Sequence, residues 1–189
     1  MNGHLSNIAI ADICDAVLTL PAPALVGIDG RSGAGKTTLA NALAARLEAA
    51  GRRVSTVEVE AYIGGWGALV DDIGKLARMA SELSQRGSTL ATPWDWAREH
   101  WAEPLRIPRA GQADVVILVG CGSTSASVRP HLDLTVWLEA DAELRLKRVQ
   151  ARDPYNWSEH WPGWAAQEEA LLAEFPSNEK ATFTLLSEA

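Results

Sequence analysis

The chain has 189 residues, 47% of them hydrophobic and 22% charged, with a formal net charge of −7. That length supports one domain, residues 1–189, with a full apolar core, and an acidic balance without a basic run excludes a general nucleic-acid binder. No apolar run is long enough to span a membrane and no signal peptide is visible, so a cytoplasmic protein without membrane contact is expected.

An amphipathic helix is expected over about 6–20. Ile8, Ile13, Val17 and Leu20 share a broad face, Ser6 or Asn7 caps it, and Pro21 and Pro23 end it. Cys14 within it and Cys121 far downstream match no metal spacing and read as reduced, buried thiols. The apolar run 24–29 then suits a buried strand.

Gly30-Arg31-Ser32-Gly33-Ala34-Gly35-Lys36-Thr37 follows and fits the phosphate-binding pattern G-x-x-x-x-G-K-[ST]. A helix over 38–50, with Leu39, Leu43 and Leu47 on one line and Gly51 as its stop, completes the strand–loop–helix context that the pattern needs. The glycines allow successive N–H groups to turn inward around a phosphate chain, and the helix start adds its unpaired donors and positive dipole end. Gly30, Ser32, Gly33, Ala34, Gly35, Lys36, Thr37 and Thr38 are therefore the expected binders of ATP. Lys36 would reach the outer phosphates and the Thr37 hydroxyl would bind Mg2+.

A second strand is expected over 54–59, running into Glu58-Val59-Glu60. Glu60 is the candidate general base for an attacking hydroxyl, or a magnesium contact; a solvated strand-end carboxylate is the alternative. Glu58 points to the same side if the strand continues, and is the second choice. A turn at 62–67 and a helix over 68–86 follow, then a short helical piece from Thr92-Pro93-Trp94-Asp95-Trp96 to about Trp101.

The run 114–119 reads as a fully buried strand, Gly120-Cys121-Gly122-Ser123 as a turn, and 134–138 as another strand. The helix over 141–152 places Arg145, Lys147, Arg148 and Arg152 on its exposed side. Arg148 and Arg152 can close on phosphates or lie on a solvated basic face; Arg145 is read as solvated. A helix over 158–175 and a last strand over 181–186 end the chain, with about 152–175 as a lid region. Eight tryptophans are an unusual share. Trp157, Trp161 and Trp164 share a helical face, and Trp94 and Trp96 bracket Asp95, so the aromatics either stack an acceptor or pack the lid.

Alternating strands and helices imply an α/β fold: a parallel sheet between helical layers, with ligands at the carboxyl ends of the strands. Asp29 to Thr37 resembles the start of the uridine kinase-like branch of P-loop kinases, near small bacterial members that carry D-D-[LF]-Y-P-G-W after the second strand. Anchored on Trp66, Glu60 falls on the first Asp of that motif; without that anchor Tyr62 aligns and Val59 takes the place. Trp94-Asp95-Trp96, Gly120-Cys121-Gly122-Ser123, Trp137-Leu138-Glu139-Ala140, Ala151-Arg152-Asp153 and His160-Trp161 with Trp164 to Glu168 resemble further family segments, over roughly 24–170 in all. The resemblance implies a three-layer P-loop fold with a helical lid, and a kinase dependent on ATP and Mg2+ acting on a hydroxyl of a nucleoside or similar compound. Lys36, Glu60, Arg148 and Arg152 would serve catalysis, Thr37 and Glu60 the metal, and Glu60, Trp66, Trp94, Asp95, Trp96 and Trp161 the acceptor. Val119 stands where the family has an acid that helps hold magnesium, which points to the alternative of a degenerate kinase that binds ATP without transferring phosphate. Oligomeric state is left open.

Overall fold

The computed structural model describes residues 7–152 and 159–188. Helix α1 (Asn7–Leu18) leads into strand β1 (Ala24–Asp29), helix α2 (Lys36–Ala49) and strand β2 (Val54–Glu58). Helix α3 (Ile73–Arg86) is followed by four short strands: β3 (Thr89–Ala91), β4 (Trp94–Asp95), β5 (His100–Trp101) and β6 (Leu105–Ile107). Strands β7 (Val115–Val119) and β8 (Leu134–Glu139), helices α4 (Ala142–Arg152), α5 (Trp161–Glu174) and α6 (Ser177–Lys180), and strand β9 (Phe183–Leu186) complete the order.

The main sheet runs β2-β7-β1-β8-β9, and every pairing in it is parallel. Its strands alternate between two apolar clusters. Ala24, Val26 and Ile28 of β1 and Val115, Ile117 and Val119 of β7 join the cluster under α1 and α2; Leu25, Val116 and Leu118 join the one under α3 and α5. A strand buried on both faces needs apolar residues at every position, which is why these runs carry no polar alternation. The result is the expected α/β arrangement of a parallel sheet between helical layers. Both cysteines are buried and unpaired.

Three sequence expectations change. Residues 92–101 hold no helix: β4 pairs antiparallel with β5, with Trp94 opposite Trp101 and Asp95 opposite His100. Nearby, β3 and β6 form a second antiparallel pair. Helix α3 starts at Ile73 rather than 68, because Asp72 turns back to accept the Gly64 N–H at 2.7 Å. The second strand stops at Glu58, and Val59–Tyr62 is a turn of 3-10 helix, which ends the alternation that placed Glu58 beside Glu60. The α1 cap residue Ser6, and Trp157 of the expected aromatic face, lie outside the described residues.

Candidate active site

Strand β1 delivers the phosphate loop to the carboxyl edge of the sheet. Gly30, Gly33 and Gly35 have φ of 148°, 81° and 104°. A Cβ on Gly30 would stand 2.3 Å from the Leu138 carbonyl oxygen, and one on Gly33 2.3 Å from that of Arg145. The loop is therefore wedged between the end of β8 and helix α4, and side chains at these glycines would force it open. Gly35 caps α2 in the left-handed conformation, with no side chain bonded to the helix start. The first N–H groups of α2, from Lys36, Thr37 and Thr38, thus lack intrahelical partners and are donors that an anion could take up.

Asp29 closes the loop's lower side. Its carboxylate accepts from the N–H groups of Gly30 (2.7 Å), Gly122 (3.0 Å) and Thr124 (2.8 Å), and from the Thr124 hydroxyl (2.8 Å). Burial pushes this carboxyl up from its ordinary value, and the Thr124 and Gly30 N–H groups, the Lys36 ammonium and the Thr124 hydroxyl pull it back only in part. Asp29 joins the phosphate loop to the 120–124 turn, and its lone pairs are committed to that task.

The turn carries the next two contacts. Glu60 Oε1 accepts the Cys121 N–H at 2.8 Å. Its other oxygen lies so close to Gly120 that a Cβ there would meet it at 2.0 Å. Glu58 is exposed and Val59 fully buried, its side chain packed against Gly120, so of the two carboxylates Glu60 is the one that meets the turn. Lys36, buried, donates through Nζ to the carbonyls of Gly30 (2.8 Å) and Arg31 (3.2 Å) and to Cys121 Sγ (3.2 Å). Burial alone would favour neutral lysine, but the negative groups around it outweigh burial and hold its pKa above the ordinary range. Burial also pushes the Cys121 thiol well up. Among the neighbours that raise Lys36, Cys121 comes first, followed by Glu60, Glu168 and Asp29.

Helix α5 lies against the loop. Glu168 is 6% exposed, and its Oε1 accepts the Ser32 N–H (2.8 Å), the Trp164 indole N–H (3.0 Å) and the Cys121 thiol (3.2 Å). Glu169 pairs with Arg31. Gln167 accepts the Leu69 N–H at 2.8 Å and donates to the Trp66 carbonyl at 2.8 Å. From behind, Arg145 donates to the Ser32 carbonyl (3.3 Å), and Arg148 to those of Ala34 (3.3 Å) and Gly33 (3.5 Å). Arg145 is buried, with its guanidinium over the Trp161 ring at 5.7 Å, so the expected solvated role is corrected. Arg152 ends α4, and its side chain lies outside the described residues.

The residues expected on the acceptor side divide into two groups. Trp66 is the hub of one: His160 stacks on it at 4.5 Å, and Trp96 and Trp164 meet it edge-on at 5.0 and 5.9 Å. The Trp96 indole N–H donates to the Glu60 carbonyl at 3.2 Å, which fastens this group to the carboxylate's own backbone. The second group is the hairpin: Trp94 packs edge-on to Trp101 at 5.0 Å, and Asp95 accepts the N–H groups of Ala97 and Arg98 at 3.0 Å each. Trp161 lies under the Arg145 guanidinium.

No protein-family model matches the chain. Among curated proteins it is similar to the thymidylate kinase of Xanthomonas euvesicatoria pv. vesicatoria, 35% identical over 98 residues, 52% of this chain and 40% of that one. The thymidylate kinase of Xylella fastidiosa (strain M12) is 36% identical over 99 residues, 52% and 42%. The matched stretch thus spans less than half the length of these relatives. Among solved structures, a chain from Bacillus stearothermophilus described as a possible uridine kinase superposes with a TM-score of 0.68, at 19% identity, over 94% of this chain and 97% of that one. The D-glycerate 3-kinase of Cryptococcus neoformans var. grubii gives 0.55, at 14% identity, over 94% of each. The chain has the fold of the P-loop kinases.

Within that P-loop kinase fold, the residues present suit a magnesium nucleotide. The uncapped start of α2 offers donors to a phosphate chain, and exposed Thr37 stands at that start. Among the described residues no three His, Cys, Asp or Glu side chains converge as a metal cage. Val119 is 1% exposed inside the α1/α2 cluster and supplies no oxygen. Sequence reasoning missed Asp29, Arg145 and Glu168. An Asp directly before the glycine loop is a readable signal for the first; the other two act through contacts more than a hundred residues away.

Proposed function

We propose that the chain, as one P-loop kinase unit, is an ATP- and Mg2+-dependent phosphotransferase acting on a hydroxyl of a small, nucleoside-like molecule. The observation that carries this reading is the joint at Cys121. Its N–H holds the Glu60 carboxylate and its sulfur touches the Lys36 ammonium, so the candidate base and the phosphate-loop cation are one residue apart through a shared anchor. In this reading the first N–H groups of α2 bind the inner phosphates and Lys36 leaves its loop carbonyls for the outer ones. Arg145 and Arg148 brace the loop from behind. Glu60 accepts the acceptor's hydroxyl proton, or shares the metal with Thr37. Magnesium, when bound, would neutralise charge on the transferred phosphoryl group. The Trp66, Trp96 and Trp164 group is the surface against which an acceptor ring would rest. Asp95, Trp94 and Trp161 belong to the acceptor side only if the hairpin and the start of α5 reach the bound molecule.

A second reading, nucleotide binding without transfer, is favoured by Val119, whose hydrocarbon fills the place of an acid. A screen of nucleosides and small alcohols for acceptor-dependent ADP release separates the two. The kinase reading expects at least one acceptor to raise ADP release well above the rate with ATP alone, and ATP binding with no such acceptor favours the second. The kinase reading also places the protein in the cytoplasm, where ATP and small hydroxyl compounds are at hand. Among the described residues no helix is long and apolar enough to cross a membrane.

A further inference from the structure

Glu168 is a buried carboxylate inside a site built for anions. It takes the Ser32 N–H, a donor of the phosphate loop itself, and reaches the same sulfur that Lys36 touches. A carboxylate on a loop N–H is a chemical stand-in for a phosphate oxygen. A nucleotide whose terminal phosphate approached Ser32 and Lys36 would meet this carboxylate as a like charge, with Glu60 and Asp29 already close to the same cation.

The neighbours of Glu168 give that encounter a consequence. Its Oε1 also holds the indole N–H of Trp164, which packs on Trp66 and Trp96. One residue before it, Gln167 clips the backbone at Trp66 and Leu69. A single turn of α5 thus touches the phosphate loop and the aromatic group together.

We infer that Glu168 is a positioning residue that reports loop occupancy to the acceptor side: the terminal phosphate displaces its carboxylate from Ser32, and the displacement releases Trp164 and resets the aromatic group. The inference rests on the nucleotide-binding reading and adds an order to it, nucleotide before acceptor. The chemical class of the displacing ligand is a polyphosphate, and inorganic pyrophosphate is its smallest probe.

The test uses the full chain with indole N–H signals observed by NMR, that of Trp164 assigned with Trp164→Phe. Saturating wild type with pyrophosphate, then with ATP and magnesium, is expected to move the Trp164 signal away from its hydrogen-bonded position. Glu168→Gln, which removes the charge and keeps the shape, is expected to bind pyrophosphate about three- to tenfold more tightly, the usual scale for relieving one like charge. A Trp164 signal that stays in place at saturation overturns the inference, and so does a Glu168→Gln chain that binds no more tightly than wild type. The wild-type spectrum decides the matter even if the variant fails to fold. If neither chain binds pyrophosphate or ATP, the nucleotide reading itself falls; if wild type binds with Trp164 unmoved, only the coupling falls.

Discussion

The glycine loop and the aromatic region around Trp66 are built on opposite principles. At the loop the backbone offers the donors: glycines at positive φ, a helix start without a side-chain cap, and carbonyls steadied by Arg145 and Arg148. In the aromatic region nearly everything is side chain: three described rings gathered on Trp66, one carboxylate on a turn, and a hairpin of two-residue strands. A backbone site depends on a few residue types and recurs wherever the loop recurs. A side-chain site can be rewritten one residue at a time.

The sharpest break between the sides comes at Glu60. Glu60→Gln keeps the bond from the Cys121 N–H but removes the base, so turnover on the acceptor found by screening is expected to fall by about 10²–10⁴-fold with ATP affinity preserved. Exposed Glu58→Gln should leave both unchanged, and equal losses in the two variants would misplace the acid. Lys36→Ala is the converse experiment. ATP affinity by titration calorimetry is expected to fall by about tenfold or more. The variant should also melt lower, because Glu60, Glu168 and Asp29 lose the cation between them.

Smaller effects sharpen the boundary. Trp96→Phe keeps a ring against Trp66 but loses the donor to the Glu60 carbonyl, so acceptor KM should rise by roughly tenfold or less while ATP affinity holds. Asp95→Asn should do least, because the amide oxygen still accepts the Ala97 and Arg98 N–H groups. Asp95→Ala should cost about 1 kcal/mol by denaturant melts. A large rise in acceptor KM for Asp95→Asn would instead place that carboxylate on the acceptor.

The same division separates what is legible in the amino-acid sequence from what is not. The loop, its strand and its helix follow from local patterns: a fully apolar run, glycines at fixed spacing, leucines every four residues. Glu60 is reachable from the spacing to Trp66. The hairpin is not, because its strands of two residues are too short for a period and Trp-Asp-Trp reads equally as helix or turn. Arg145 looks solvated because its helix shows one basic face; what buries it is the loop carbonyl of Ser32 and the Trp161 ring, both brought in by tertiary packing. Glu168 has only the Trp164 spacing on its own helix as a local signal; its contacts to the loop and to the 120–124 turn come from tertiary packing.

Arg148 spans more than the loop. Besides the carbonyls of Gly33 and Ala34, it donates to the Ser187 hydroxyl at 3.0 Å and the Glu188 carbonyl at 2.7 Å. The strand exit after β9 and the nucleotide loop therefore hang from one guanidinium. Whatever pulls on the segment after β9 pulls on the loop as well, so a substitution at Ser187, distant from the loop in sequence, becomes a remote control on the loop's shape.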